Sequence, residues 1–226
     1  MCSVYDTAAI VLAAGLSRRM GGVNKLLIEI NGSPMIRATV SACVAVCDAP
    51  VAVVTGYQVS DIEQALDGLD VSFIHNPDFA DGQQGSVAAG LNAAPEAKTT
   101  LVVLGDQPLL DGAALERLLE AHRASDQARI TIPMNDGAVR GNPLVIPLAL
   151  KQSLMADKAN PGCRKFTRDH PEMVNLVPFR DPAYFTDLDT LDDLKSFRIE
   201  QARMISSFSV AGYLMPRPPQ HLSCFF

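Results

Sequence analysis

Short runs dominated by apolar side chains recur along the first two-thirds of the chain, at residues 8–14, 50–56, 71–75, 100–106 and 129–133. A strand with one face in water alternates apolar and polar residues. Strands this uniformly rich in Val, Ile, Leu and Ala are covered on both faces. The segments between them have helical spacing. In "DGAALERLLEAHR", Leu115, Leu118, Leu119 and His122 form one stripe, with Asp111 placed to cap the N-terminus. "SDIEQALDG" opens with Ser60 and Glu63 at capping-box spacing and closes at Gly68. "SPMIRATVSACVAVC" and "GSVAAGLNAA" complete the alternation. Strands that alternate with helices pair in parallel through right-handed crossovers, so the expected fold is a three-layer α/β/α, Rossmann-like domain with a mostly parallel sheet.

Beyond residue 133 the alternation weakens. Residues 142–147 read as one more strand, and "YFTDLDTLDDLKSF" as a strand end feeding a helix, with Thr190 and Asp193 at capping spacing. The tail then turns Pro-rich and aperiodic, which sets a domain over 1–198 and an extension over 199–226. The N-terminus lacks a basic region followed by an apolar core, and no apolar run approaches the roughly 20 residues of a membrane span. Cytoplasmic residence without a membrane partner is therefore expected. A net charge of −6 and no basic run exclude nonspecific binding of nucleic acid. Cys43 and Cys47, four apart, read as small core residues on one helix face. Cys2, Cys163 and Cys224 are scattered, so neither a disulfide framework nor a zinc site is expected.

In open α/β sheets ligands gather outside the carboxyl ends of the strands. There, "LAAGLSRRMGGVNK" follows the first strand and concentrates Arg18, Arg19 and Lys25 on an acidic protein. It is neither a G-x-x-x-x-G-K-[ST] phosphate loop nor a G-x-G-x-x-G dinucleotide fingerprint. Its glycines, Gly15, Gly21 and Gly22, still let backbone N–H groups approach an anion, and Arg19 with Lys25 can balance a triphosphate. Asp106 ends another strand at the same edge, a position suited to Mg²⁺, which takes one or two carboxylates plus phosphate oxygens. Asp187 and Asp189, two apart on an expected strand, point to one side and offer a further carboxylate. His75 and Asn76 end the third strand, and Ser86 is expected to begin or cap the next helix, whose N–H groups suit an anion or a base edge. His122 reads as a packed core residue. His170 and His221 have no partner in the pattern. No nucleophile with a general base stands out, so any chemistry rests on positioning and charge neutralisation.

Together "VLAAGLSRRMGGVNKLL", "VVTGY", "HNPDFADGQQGSVAAGL", "GDQPLL", "RGNPLVIP" and "DLDTLDDL" resemble, in order, the motifs of the MobA-like nucleotidyltransferases over roughly residues 8–198. The resemblance implies a GT-A-like nucleotidyltransferase fold. The form "LAAG" is more typical of the molybdenum cofactor cytidylyltransferases, which implies transfer of CMP from CTP to the molybdenum-molybdopterin cofactor. Arg19 and Lys25 would then wrap the triphosphate. Ala13, Ala14 and Gly15 would lie by the cytosine or ribose, and Asn76, Gln83 and Ser86 by the nucleoside. Asp106 with Asp187 or Asp189 would bind Mg²⁺, and the loop ending at Asn142 would face the pterin. A molybdenum hydroxylase or its maturation chaperone would receive the product. The chain departs from relatives at Asn142, where they carry His, at Gln107, where they carry Met, and at Leu191, where they carry Pro.

Three alternatives remain open at this point. One is a guanylyltransferase, or a transferase to another phosphate, within the same family. The second is an NAD(P)-dependent oxidoreductase, and the third a non-catalytic carrier of the molybdenum cofactor.

Overall fold

The computed structural model describes residues 4–156 and 162–199, so the expected extension lies, from residue 200 onward, outside the described residues. The chain divides into two compact units, Met1–Asp189 and Thr190–Phe226.

Within the first unit the elements follow in order as β1 (Tyr5–Ala13), β2 (Glu29–Ile30), β3 (Ser33–Pro34), α1 (Met35–Val46), β4 (Val51–Thr55), α2 (Val59–Ala65), β5 (Val71–His75), α3 (Gln83–Ala93), β6 (Ala97–Leu104), α4 (Gly112–Arg123), β7 (Ile130–Met134), β8 (Leu144–Pro147), α5 (Lys151–Ala156), α6 (Cys163–Asp169) and β9 (Val174–Pro178). Seven strands form one sheet in the order β5-β4-β1-β6-β8-β7-β9, while β2 and β3 make a separate small hairpin. The left half, β5-β4-β1-β6, is parallel throughout. Only β8 runs against its neighbours β6 and β7, and β9 pairs parallel with β7.

β1, β4, β6 and β7 are covered on both faces, as their composition predicts, but β5 is not: it forms the sheet edge, none of its residues is fully buried, and Phe73 is 38% exposed. Ile10 and Leu12 of β1 join Ala52 and Val54 of β4 in one cluster with Val87 and Leu91 of α3. The alternate residues Ala9, Val11, Val51 and Val53 are also fully buried, and they face the opposite layer, where α1 packs on β1 and β4. Gly90 is what lets α3 approach the sheet. A Cβ there would fall 2.4 Å from Ile10 Cγ2.

Local readings fare unevenly. In α4, Asp111 Oδ1 accepts the Ala114 N–H at 2.7 Å, and Leu115, Leu118 and Leu119 are buried. His122 is buried too, its Nδ1 2.8 Å from Thr131 Oγ1. Burial, followed by the nearby Arg123 charge, holds its pKa below the usual imidazole value. The α2 capping box does not form. The helix starts at Val59 behind a left-handed Gln58, so Ser60 already lies inside it. Ser86 likewise sits a turn into α3 and caps nothing. Cys43 is buried in α1, but Cys47 lies just past the helix end, where burial pushes its thiol up to about 12.

In the second unit, residues 191–199 are helical. The Thr190 N–H donates to Asp193 Oδ2 at 2.7 Å and the Asp193 N–H to Thr190 Oγ1 at 3.1 Å, the reciprocal cap that the spacing predicts.

Candidate active site

The cation loop leaves β1 through a chain of left-handed residues. Ser17 has φ 49°, and Gly21 and Gly22 have φ 63° and 92°. That backbone folds the loop back on itself, so that Ser17 Oγ accepts the Lys25 N–H at 3.1 Å. Met20, only 1% exposed, plugs the loop into the core while Arg18 and Arg19 stay exposed. Asn24 Oδ1 accepts the Leu26 N–H at 3.1 Å and starts the short 3-10 turn Lys25–Leu27. Lys25 is thereby aimed across the end of β1 toward β6.

It meets carboxylates there. Lys25 Nζ donates to Asp106 Oδ2 and, at 2.6 Å, to Asp189 Oδ1. Arg19 Nη1 lies 3.0 Å from the other oxygen, Asp189 Oδ2. Asp187 completes the group. One carboxylate oxygen from each of Asp106, Asp187 and Asp189 lies within 4.8 Å of the others. The expectation that Asp187 and Asp189 share a strand face is corrected here, since residues 186–189 have no regular structure. Their segment is instead held by the backbone, with the Leu188 N–H donating to the Asp106 carbonyl at 3.2 Å.

The charges perturb one another. Burial alone would lower the Lys25 pKa, but the contacts with Asp106 and then Asp189 outweigh it and hold the ammonium above its ordinary value. Asp187 is pushed up, first by partial burial and then by the Asp106 and Asp189 charges, against a smaller opposing pull from Lys25.

An open cleft of about 470 Å³ runs along this edge. Ala14, Gly15, Arg19, Lys25, Gln83, Ser86, Asp106, Asp187 and Asp189, all singled out in the sequence, line it. Ala13 and Asn76 are buried behind that wall. Asn76 Nδ2 donates to Ser86 Oγ at 3.0 Å, which fixes the hydroxyl that the cleft sees. Asn142 is not part of the lining. Its N–H donates to the Tyr184 carbonyl at 2.9 Å, and its own carbonyl accepts from Gln107 Nε2 at 3.3 Å. Sequence reading passed over Phe79, which also lines the cleft. The ring lies so close over Gly56 that a Cβ there would fall 2.5 Å from it. An aromatic residue inside the Pro- and Gly-rich turn "NPDFADG" is the signal that could have found it.

Residues 9–174 match the MobA-like NTP transferase domain family. The chain belongs to that family. It is 31% identical over 209 residues to the molybdenum cofactor guanylyltransferase of Cupriavidus metallidurans, covering 89% of this chain and 98% of the relative. It is 28% identical over 190 residues to the nicotine blue oxidoreductase of Paenarthrobacter nicotinovorans, covering 82% and 93%. Among solved structures, a nucleotidyl transferase from Methanothermobacter thermautotroptrophicus superposes with a TM-score of 0.74 at 25% identity, covering 88% of this chain and 99% of that one.

For a MobA-like NTP transferase the acidic group invites a divalent cation, and the residues fit one. Their donors are all hard carboxylate oxygens. Asp106 Oδ1 is buried with no hydrogen-bond partner among the described residues, an arrangement that is costly unless a cation faces it. The cleft thus joins an acidic cluster that fits a divalent cation with basic side chains at the carboxyl ends of the strands. Among the described residues no helix is long and apolar enough to cross a membrane.

Proposed function

We propose that this enzyme transfers CMP from CTP to the molybdenum-molybdopterin cofactor and releases pyrophosphate. The observation that carries the reading is the convergence of Lys25 and Arg19 with the Asp106, Asp187 and Asp189 carboxylates in one cleft. Support for the acceptor comes from the relative named as a molybdenum cofactor guanylyltransferase, matched over 89% of this chain. The choice of cytosine rests on Ala13-Ala14-Gly15, the "LAAG" form of the signature, at the end of β1.

In this reading a terminal phosphate oxygen of the acceptor forms a bond to the α-phosphorus of CTP. The bond from that phosphorus to the bridging oxygen of the β-phosphate breaks, and pyrophosphate leaves with the electron pair. Asp106, Asp187 and Asp189 would hold Mg²⁺, which supplies charge neutralisation of the phosphates. Arg19 and Lys25 hold the triphosphate, and the buried Asn76 fixes Ser86 toward the nucleoside. The loop ending at Asn142 would face the pterin acceptor, its backbone held by Tyr184 and Gln107. No side chain is needed as a covalent nucleophile, and positioning with charge neutralisation does the work. The proposed setting is the cytoplasm, with a molybdenum hydroxylase or its maturation chaperone receiving the product.

The test is purified protein with Mg²⁺ and each of the four nucleoside triphosphates, with and without molybdopterin acceptor, scored for pyrophosphate. Acceptor-dependent release from CTP alone is expected. Release from GTP instead would move the reading to guanylyl transfer. A second reading, an oxidoreductase, is favoured by the relative named nicotine blue oxidoreductase. Oxidation of NADH or NADPH by the protein with nicotine blue, and no pyrophosphate from any triphosphate, would establish it in place of the first.

A further inference from the structure

Lys25 occupies a position that a phosphate-binding lysine alone would not need. Its ammonium is largely buried, and it lies between two of the three carboxylates suited to a divalent cation. Asp189 is shared further, with one oxygen on Lys25 and the other facing Arg19. Asp187, the third carboxylate, makes no ion pair among the described residues. Counted formally, three carboxylates face two cations, leaving the cluster at −1. A divalent ion added to it would meet the ammonium across the same carboxylates. Like charges at that range repel strongly where water is partly excluded. Removing the ammonium to a phosphate ends that repulsion and leaves the carboxylates to the metal.

Resting on the nucleotidyl-transfer reading, we infer that Lys25 is the resident counterion of the acidic triad and competes with the divalent cation for it. Metal therefore binds the free protein weakly and settles only as a triphosphate draws Lys25 from Asp106 and Asp189 onto its own oxygens. Nucleotide and metal then bind cooperatively, and Lys25 is the element that couples them. The same exchange keeps the buried Asp106 carboxylate neutralised at every stage, by ammonium first and by metal afterwards.

The test reads metal binding directly, with Mn²⁺ as the probe and its electron paramagnetic resonance signal as the readout. Lys25→Met keeps the length of the side chain and removes the charge. It should bind Mn²⁺ about tenfold more tightly than the wild-type protein without nucleotide. The charge-keeping Lys25→Arg should stay weak. Adding a non-hydrolysable CTP analogue should tighten Mn²⁺ binding in the wild-type protein far more than in Lys25→Met. Where Lys25→Met does not fold, the wild-type chain answers alone. Acetylation of Lys25, followed by peptide mass spectrometry, should speed as Mn²⁺ is titrated in, because the metal releases the ammonium. Mn²⁺ affinity that is unchanged or weaker in Lys25→Met overturns the inference, as does acetylation that Mn²⁺ leaves unaltered. Failure of the wild-type protein to release pyrophosphate from any triphosphate would instead remove the functional reading, while the Mn²⁺ comparison would still report on the triad.

Discussion

The backbone N–H of Leu188 donates to the backbone carbonyl of Asp106 at 3.2 Å. That bond sets the carboxylates on either side of Leu188 against the end of β6, between residues 82 positions apart in sequence, without using any of the carboxylates themselves. The fold can therefore survive loss of the Asp106 charge. Asp106→Asn should keep its circular dichroism spectrum and lower pyrophosphate release by on the order of 10²–10³, the usual scale for one preorganised electrostatic contact. Mn²⁺ affinity should fall with it. Turnover near that of the wild-type protein would remove Asp106 from the chemistry.

Asp187 gives the site a pH dependence with a definite sign. Partial burial and the neighbouring Asp106 and Asp189 charges raise its pKa. The folded protein therefore holds this proton at pH values where the unfolded chain has released it. Ionising Asp187 costs folded stability, and the cost is absent at low pH, where both states are protonated. Asp187→Asn should accordingly raise the Tm at neutral pH, and the difference should close as the pH falls through the ordinary carboxylate range. A Tm difference that is constant with pH would contradict this account. The residue is exposed enough that only the direction of the change is expected.

The sequence revealed the left half of the sheet well, because β1, β4 and β6 are buried on both faces and their apolar runs carry that fact. It revealed the right half poorly. β9 alternates buried and exposed residues at the sheet edge, with Leu176 41% exposed, so its composition resembles a loop. The short α5 and α6 offer too few turns for periodicity to show. In the site, Arg19, Lys25 and Asp106 were legible because charges that follow buried strands fall at the ligand edge. Asp187 and Asp189 were found for a mistaken reason, since side-chain alternation does not apply where no strand forms. Asn142 lies outside the cleft lining, with its backbone N–H and carbonyl engaged by Tyr184 and Gln107, contacts that residue type does not disclose.

Gly141 packs against the turn that precedes the Asp187–Asp189 segment. A Cβ there would fall 2.4 Å from the Tyr184 carbonyl, which already accepts the Asn142 N–H at 2.9 Å. Gly141→Ala must push the 182–185 turn outward, and that turn leads directly into Asp187. Overpacking of this kind costs about 1–3 kcal/mol. A urea melt should show that loss, and Mn²⁺ affinity should weaken in parallel although no carboxylate has changed. A variant as stable as the wild-type protein, with intact metal binding, would show that the turn moves freely.

Within the cation loop, neighbouring residues divide the work between folding and binding, and their variants should separate accordingly. Met20 is 1% exposed and pins the loop to the core, whereas Arg18 is exposed, lines the cleft and makes no ion pair among the described residues. Met20→Ala removes a buried thioether and should cost about 2–5 kcal/mol in a denaturant melt. Because the loop then loses its anchor, the KM for the triphosphate should rise as well. Arg18→Gln should leave the melt within about 0.5 kcal/mol of the wild-type protein, as for other exposed substitutions. With Arg19 and Lys25 already engaged by carboxylates, Arg18 is, among the described residues, the lining cation with its charge uncommitted, so its loss should raise the KM for the triphosphate and weaken product inhibition by pyrophosphate. Both effects should shrink as salt is added, since the interaction is between exposed charges. An Arg18→Gln variant with unaltered KM at low ionic strength would show that this guanidinium does not reach the phosphates, and the loop's contribution would then lie with Arg19 and Lys25.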